Sequence, residues 1–379
     1  MEIIKEGYNK AINVLEHCAK PSGFFASGLP GGYEALWARD SMITSLGACL
    51  ADAKFKDVFK KSLEQLCQHQ SELGQIPNCV GDYNIDRQSE ITFNTIDSTL
   101  WYIIGNFAYA KAYSGKTLLK KHQKNIDRAF LWLKHQDPNE DTLLVQQPTM
   151  DWQDAFPHKY GRTINTHALY YACLKMAGEN KLAEHIKKVI NGETEKYLSL
   201  YDEKLGYYLP WAWKSHDGDR EQEEWFDALG NLLAIVAGLA SPKISESILN
   251  HIEKEKINQP YPLESIFPPI KQGDKEWRSY FSKCLAKDPY QYLNAGIWPF
   301  IGGFYIAALV KAKDYKKAED ELKKLAQANK LGKDREWEFN EWLDGQTGQP
   351  KGNPYQGWSA GAYIYAFECA KKKEVLFFD

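Results

Sequence analysis

Many familiar marks of chemistry are missing from these 379 residues. There is no HExxH helix for zinc, no P-loop and no GxGxxG fingerprint. The seven cysteines (Cys18, Cys49, Cys67, Cys79, Cys173, Cys284, Cys369) are odd in number, scattered and without a CxxC pair. That reads as free thiols in a reducing compartment. The nine histidines are dispersed, and no cluster calls for a metal. No apolar run is long enough to span a bilayer, and the first residues, MEIIKEGYNKAI, lack the apolar core of a signal segment. Lys and Arg number 47 against 50 Asp and Glu, a net charge of −3 with the signs well mixed. No basic tract can neutralise a nucleic-acid backbone or an anionic membrane. The expectation is a soluble cytoplasmic protein with no cofactor, no metal, no nucleic-acid partner and no membrane partner. Its oligomeric state is not set by these features.

What is present is helical and aromatic. Hydrophobic residues make up 44% and charged residues 26%, which excludes a disordered chain. Aromatics reach 13%, with 12 Trp and 22 Tyr, side chains that join an apolar face to a polar handle and suit sugars, peptides or protein partners. The hydrophobic spacing predicts helices over 3–20, 38–52, 56–70, 94–114, 117–136, 163–176, 179–195, 221–240, 243–256, 295–312, 315–330 and 355–372, with a small hairpin over 201–213. In several pairs one helix is rich in small and apolar residues (Ala228–Ala240, Gly296–Val310, Trp358–Phe367), while its neighbour is charged (Lys243–Lys256, Tyr315–Lys330). An inner layer covered on both sides and an outer layer facing water would produce that contrast. About twelve helices in two layers, with no fixed-period repeat, predict an all-α (α/α)6 toroid. Without a low-complexity linker, residues 1–379 read as one domain.

Long loops carry four acidic and aromatic clusters, and function concentrates in loops held by a rigid scaffold. Tyr33 to Asp40 packs two aromatics, Arg39 and two carboxylates before a helix, where Asp40 suits the helix dipole. Asp97 and Trp101 are four apart and share a helix face, and an acid inside an apolar helix is costly unless bonded or functional. Asp151, Trp152 and Asp154 place two acids around a Trp, where desolvation can raise a carboxyl pKa toward that of a general acid. Glu341, Trp342 and Asp344 repeat the theme in a Gly-rich loop. Read from the residues alone, each cluster is also compatible with ordinary caps and solvent-facing loop acids.

Taken in order, these segments resemble the (α/α)6-toroid glycoside hydrolases related to the glucosidase half of glycogen-debranching enzymes and to alkaline/neutral invertases. Trp37-Ala38-Arg39-Asp40 resembles the WxRD segment of that group, and Trp152-Gln153-Asp154 its acid-bearing stretch. Asn340-Glu341-Trp342 through Gly345 resembles its base-bearing stretch. Asn294 to Pro299 and Trp358-Ser359-Ala360 resemble the starts of two inner helices. Asn165 stands where the group usually has Glu, and Ala295 replaces a Gly.

The resemblance implies an inverting, exo-acting glycoside hydrolase for a small α-glucoside or oligosaccharide, with Asp154 as general acid and Glu341 as general base. It further implies that Trp37, Trp101, Trp152, Trp298 and Trp358 wall the sugar, while Arg39, Asp40 and Asp97 anchor hydroxyls. Asp154 is expected to be the more desolvated carboxyl, with the higher pKa, and Glu341 to stay ionised. Asp151 and Asp344 are the alternative acid and base. Other readings are a sucrose-cleaving β-fructofuranosidase of the neutral invertase type, a sugar epimerase using His158 and His167, and a non-catalytic saccharide-binding toroid.

Overall fold

The computed structural model describes residues 2–81, 89–194, 198–216 and 219–378. The predicted loop from Gly74 to Asp86 and the predicted helix over 179–195 each run partly outside these residues. Twelve α-helices are found among them: α1 (Glu2–Cys18), α2 (Ala38–Ala51), α3 (Lys56–Gln68), α4 (Asp97–Tyr113), α5 (Lys116–Lys134), α6 (Ile164–Ala177), α7 (Asn180–Ile190), α8 (Ala228–Ala237), α9 (Pro242–Lys254), α10 (Pro299–Lys311), α11 (Tyr315–Lys330) and α12 (Gly357–Lys372).

The even-numbered helices form a closed ring: α2 packs on α4, α4 on α6, α6 on α8, α8 on α10, α10 on α12, and α12 returns to α2. Burial explains the composition. Every residue of α8 is buried, and so is every residue of α10 except Lys311. The outer α7 buries only Ala183, Ile186, Val189 and Ile190, one stripe of an otherwise polar helix. Two layers closed on themselves are the (α/α)6 toroid that the pattern predicts.

Three predicted helix starts are moved by local chemistry. Asp219–Gln222 forms a strand against Trp211–His216, which pairs in turn with Arg162–Thr163. Helix α8 therefore begins only at Ala228, capped by the Asp227 carboxylate, which accepts from the Gly230 amide. Pro299 opens α10, the first-turn position where its missing N–H costs nothing, and Ile297 before it bridges Glu264 and Leu343. Helix α4 starts at Asp97, not Asn94. The small hairpin is present as Tyr201–Asp202 against Tyr207–Tyr208.

The ring closes where the first and last inner helices meet at glycine. A Cβ on Gly47 of α2 would collide with the Gly361 carbonyl of α12, and one on Gly361 would lie 2.5 Å from the Thr44 Cα. Ordinarily a helical Gly→Ala change gains ~1 kcal/mol. Here the sign reverses. Gly47→Ala is expected to lower stability by roughly 1–3 kcal/mol, the cost of overpacking. A melting temperature equal to or above that of the parent would show that the helices are not in backbone contact.

Candidate active site

The starts of the inner helices gather at one end of the toroid. Arg39 and Asp40 lie in the first turn of α2, Asp97 opens α4, and Trp298 and Trp358 flank the starts of α10 and α12. Helix N-termini carry partial positive charge, which favours carboxylates nearby. A cavity of about 210 Å³ opens there, lined by Tyr33, Trp37, Arg39, Asp40, Trp152, Asp154, Tyr292, Trp298, Glu341, Gln356 and Trp358. A larger groove of about 760 Å³ lies between α9 and the turn from α10 to α11, but no aromatic side chain among the described residues lines it.

Aromatic rings wall one side of the cavity. Trp152 meets Trp298 edge-on at 5.5 Å, Trp298 meets Trp358 at 5.7 Å, and Phe300 stacks beneath Trp358 at 4.2 Å. Several buried polar atoms in this wall find no hydrogen-bond partner among the described residues: Trp152 Nε1, Trp358 Nε1, Gln356 Oε1 and Arg39 Nε. Unpaired buried donors and acceptors are costly, so these four atoms are open to hydrogen-bond partners from outside the chain.

Arg39 is the electrostatic hub. Its guanidinium sits 3.3 Å from Asp40, 3.5 Å from Asp97 and over the Trp358 ring at 5.5 Å. Burial works against its charge, but Asp40, Asp97, Asp154 and Asp151 outweigh that and push its pKa up. Desolvation raises Asp97 to about 6, with Arg39 opposing. Asp97 is fully buried behind Arg39, and Trp101 packs against Phe304 at 6.1 Å within the ring. Neither is among the residues that line the cavity, where sugar contacts were expected of both. Their four-residue spacing reported a shared face but not its depth.

Two carboxylates from distant loops face the cavity. Glu341 follows the α11 loop and is clamped on both sides. Its amide donates to the Asn353 carbonyl at 2.9 Å, and its Oε2 accepts from the Asn353 amide at 3.1 Å. Tyr33 donates its hydroxyl to Oε1 at 3.2 Å. Gly352, at φ 66°, leaves the space that the carboxylate fills, since a Cβ there would lie 2.5 Å from Oε2. Reciprocal bonds between Ile297 and Leu343 tie this loop to the segment that leads into Trp298, the residue before α10. Asp154 lies in the loop before α6, partly open to the cavity, and no hydrogen bond to its carboxylate is found among the described residues. The Ile96 amide donates to Met150 at 2.8 Å and anchors that loop to the start of α4.

Burial shifts both carboxyls up, Glu341 as well as Asp154, where the expectation was a raised Asp154 beside an ionised Glu341. Desolvation raises Glu341 to about 7, partly offset by its bonds from Asn353 and Tyr33. Desolvation raises Asp154 to about 6, with Arg39 pulling back and Asp97, Asp40 and Asp151 pushing further. Arg39 favours the anion at Asp154, while the Asn353 amide and Tyr33 favour it at Glu341.

The alternative residues are placed elsewhere. Asp151 is fully buried and ion-paired to Lys159 at 2.8 Å. Asp344 closes a turn, accepting from the Gln346 and Thr347 amides, and those bonds and Gln291 hold its pKa down despite partial burial. His167 is buried against the Thr163 carbonyl, and His158 pairs with the Tyr280 hydroxyl; neither lines the cavity. Tyr33, Tyr292 and Gln356 do line it, although the sequence did not single them out. Tyr33 and Gln356 stand inside the segments that did attract attention, so proximity to those motifs was the available signal. Among the described residues no group of three or more His, Cys, Asp or Glu is placed to hold a metal, and no helix is long and apolar enough to cross a membrane.

Comparisons with known proteins agree with this architecture. The chain is 25% identical over 348 residues to alkaline/neutral invertase C, mitochondrial, of Arabidopsis thaliana, covering 75% of this chain and 50% of that protein. It is 30% identical over 341 residues to neutral/alkaline invertase 1, mitochondrial, of Oryza sativa subsp. japonica, covering 74% and 52%. The chain thus spans about half the length of these curated relatives. Among solved structures, the GH63 mannosylglycerate hydrolase from Thermus thermophilus, in complex with Tris and D-glycerate, superposes with a TM-score of 0.69 at 14% identity, covering 94% of this chain and 99% of that one. A glycosidase variant in complex with glucose gives 0.66 at 13%, covering 98% and 97%. At such identities these two structures establish the fold alone. The amylo-alpha-1,6-glucosidase family model matches residues 14–365, nearly the whole toroid, and the chain belongs to that family of glycosidase toroids.

Proposed function

We propose that the protein is an inverting, exo-acting glycoside hydrolase of a small α-glucoside or oligosaccharide. The observation that carries this is the pairing of Asp154 and Glu341, two carboxylates from separate loops, on one small aromatic-walled cavity. At about 210 Å³ the cavity falls below the ~300–1,000 Å³ of sites for drug-sized ligands, which favours a single terminal ring over a threaded chain. Asp154 protonates the departing glycosidic oxygen, and Glu341 takes a proton from the attacking water on the opposite face of the sugar. Inversion requires the carboxyls to stand about 6.5–9.5 Å apart, leaving room for that water. Arg39 and Asp40 bind ring hydroxyls, and Trp152, Trp298 and Trp358 exclude solvent. With His158 and His167 both away from the cavity, the proton shuttles an epimerase would draw from them are missing.

A second reading, sucrose cleavage, is favoured by the invertase relatives. A hydrolysis screen over sucrose, maltose, isomaltose, trehalose, kojibiose and small glucosides decides between them. NMR of the first anomer released tests the stereochemistry, and net retention would contradict the mechanism.

Glu341→Gln is expected to lower turnover roughly 10²–10⁴-fold, the usual scale of acid–base catalysis. Its folded carboxyl is raised, so the stability it contributes is lost as pH rises through about 7. At pH 8 the Gln variant should therefore melt at an equal or higher temperature, and near-parental turnover would remove Glu341 from the mechanism.

The productive form holds one proton on the pair. Below pH about 6 both carboxyls are protonated, and above about 7 both are ionised. The kcat/KM profile should be a bell centred between those values, reporting the pair as a unit. A profile flat from pH 5 to 9 would contradict this pairing.

A further inference from the structure

Lys159 is a second buried cation at the same end of the toroid, and the mechanism above does not use it. Its side chain is 1% exposed. A lysine ammonium has three protons to donate. They meet Gln153 Oε1 at 2.6 Å, Asp151 Oδ2 at 2.8 Å and Asp227 Oδ2 at 3.1 Å. Burial works against the charge, but Asp151 and Asp227 outweigh it and move its pKa up, so the group stays an ammonium.

These three acceptors belong to two different parts of the fold. Asp227 caps α8, its other oxygen taking the Gly230 amide at 3.1 Å. Asp151 and Gln153 flank Trp152, whose ring walls the cavity, and they are joined to each other because Asp151 Oδ1 accepts from the Gln153 amide at 3.0 Å. Gln146 adds a bond to Asp151 at 3.3 Å and itself accepts from Thr163 and Thr166 at the start of α6. The next residue after Gln153 is Asp154, whose carboxylate no hydrogen bond among the described residues fixes. The segment before α6 has no helix to hold its course.

We propose that Lys159 is a positioning residue for the general acid: by tying both neighbours of Trp152 to the rigid start of α8, it sets where Asp154 presents its carboxyl. The proposal rests on the hydrolase reading above. Simple charge compensation for Asp151 and Asp227 would instead make Lys159 a stability determinant with no particular relation to proton donation.

Leaving-group dependence separates the two. A glycosyl fluoride departs with little need of protonation, whereas an alkoxide leaving group depends on the acid. The best substrate from the screen and the fluoride of the same sugar are compared for the parent, Asp154→Asn, Lys159→Met and Gln153→Leu, with circular dichroism confirming folding. Asp154→Asn should lose about 100-fold or more on the natural glycoside and less than about 5-fold on the fluoride. Lys159→Met should reproduce that asymmetry, and Gln153→Leu, which removes the shortest contact without stranding a buried charge, should show it at about 10-fold. Equal losses on both substrates in the folded Lys159 variant would overturn the proposal. Should Lys159→Met fail to fold, Gln153→Leu decides in its place, and equal or absent effects there overturn it likewise. Symmetric losses in Asp154→Asn would instead defeat the assignment of the acid itself.

Discussion

The buried guanidinium of Arg39 is the constraint on which the site depends. Asp40, Asp97, Asp151 and Asp154 all bear on its charge, and two of them touch it directly. Carboxylates so crowded and so poorly solvated would otherwise hold protons at neutral pH. One planar cation at the start of α2, with the N-terminal ends of neighbouring inner helices around it, offsets the charge of several buried acids. Lysine in its place would offer a point charge without the fork or the flat face that lies over Trp358.

The scaffold supplies this crowding through its closure. Inner helices buried on every side need small and apolar residues, and where α2 meets α12 they need glycine. Short antiparallel bridges at the mouth then fix the loops to one another: Leu36–Trp37 to Cys79–Val80, Ile297 to Leu343, and Ser27 to Gln356. Carboxyls on irregular loops thereby gain the rigidity that the proposed acid–base chemistry requires. The two carboxyls are held differently. Glu341 is clamped by backbone and by Tyr33, while no hydrogen bond among the described residues fixes the carboxylate of Asp154.

The raised pKa values of the two carboxyls show how position decides chemistry. Both acids are desolvated, and Arg39 pulls Asp154 back toward the anion. Under the proposed mechanism, the roles of acid and base therefore follow from where each carboxyl would stand relative to the substrate and not from its resting pKa.

Much of the toroid was determined by the sequence itself. Amphipathic and wholly apolar helices alternate in composition, and that contrast is a local property of each segment, so the layers and their count could be read directly. The motif segments likewise placed Trp37, Arg39, Asp40, Trp152, Asp154, Trp298, Glu341 and Trp358 at one cavity. Other features belonged to the tertiary structure alone. Asp97 and Trp101 share a helix face with one another, but only the closed ring puts that face behind Arg39 and out of the cavity. Residues 219–222 have the composition of a helix and form a strand because Trp211–His216 lies alongside to pair with them. Asp151 and Asp154 look alike in sequence; Lys159, a few residues further on, captures one and leaves the other open. Helical periodicity depends on neighbours three and four residues away, whereas burial, ion pairing and pKa depend on groups brought together from across the chain, and those contacts exist only once the ring has closed.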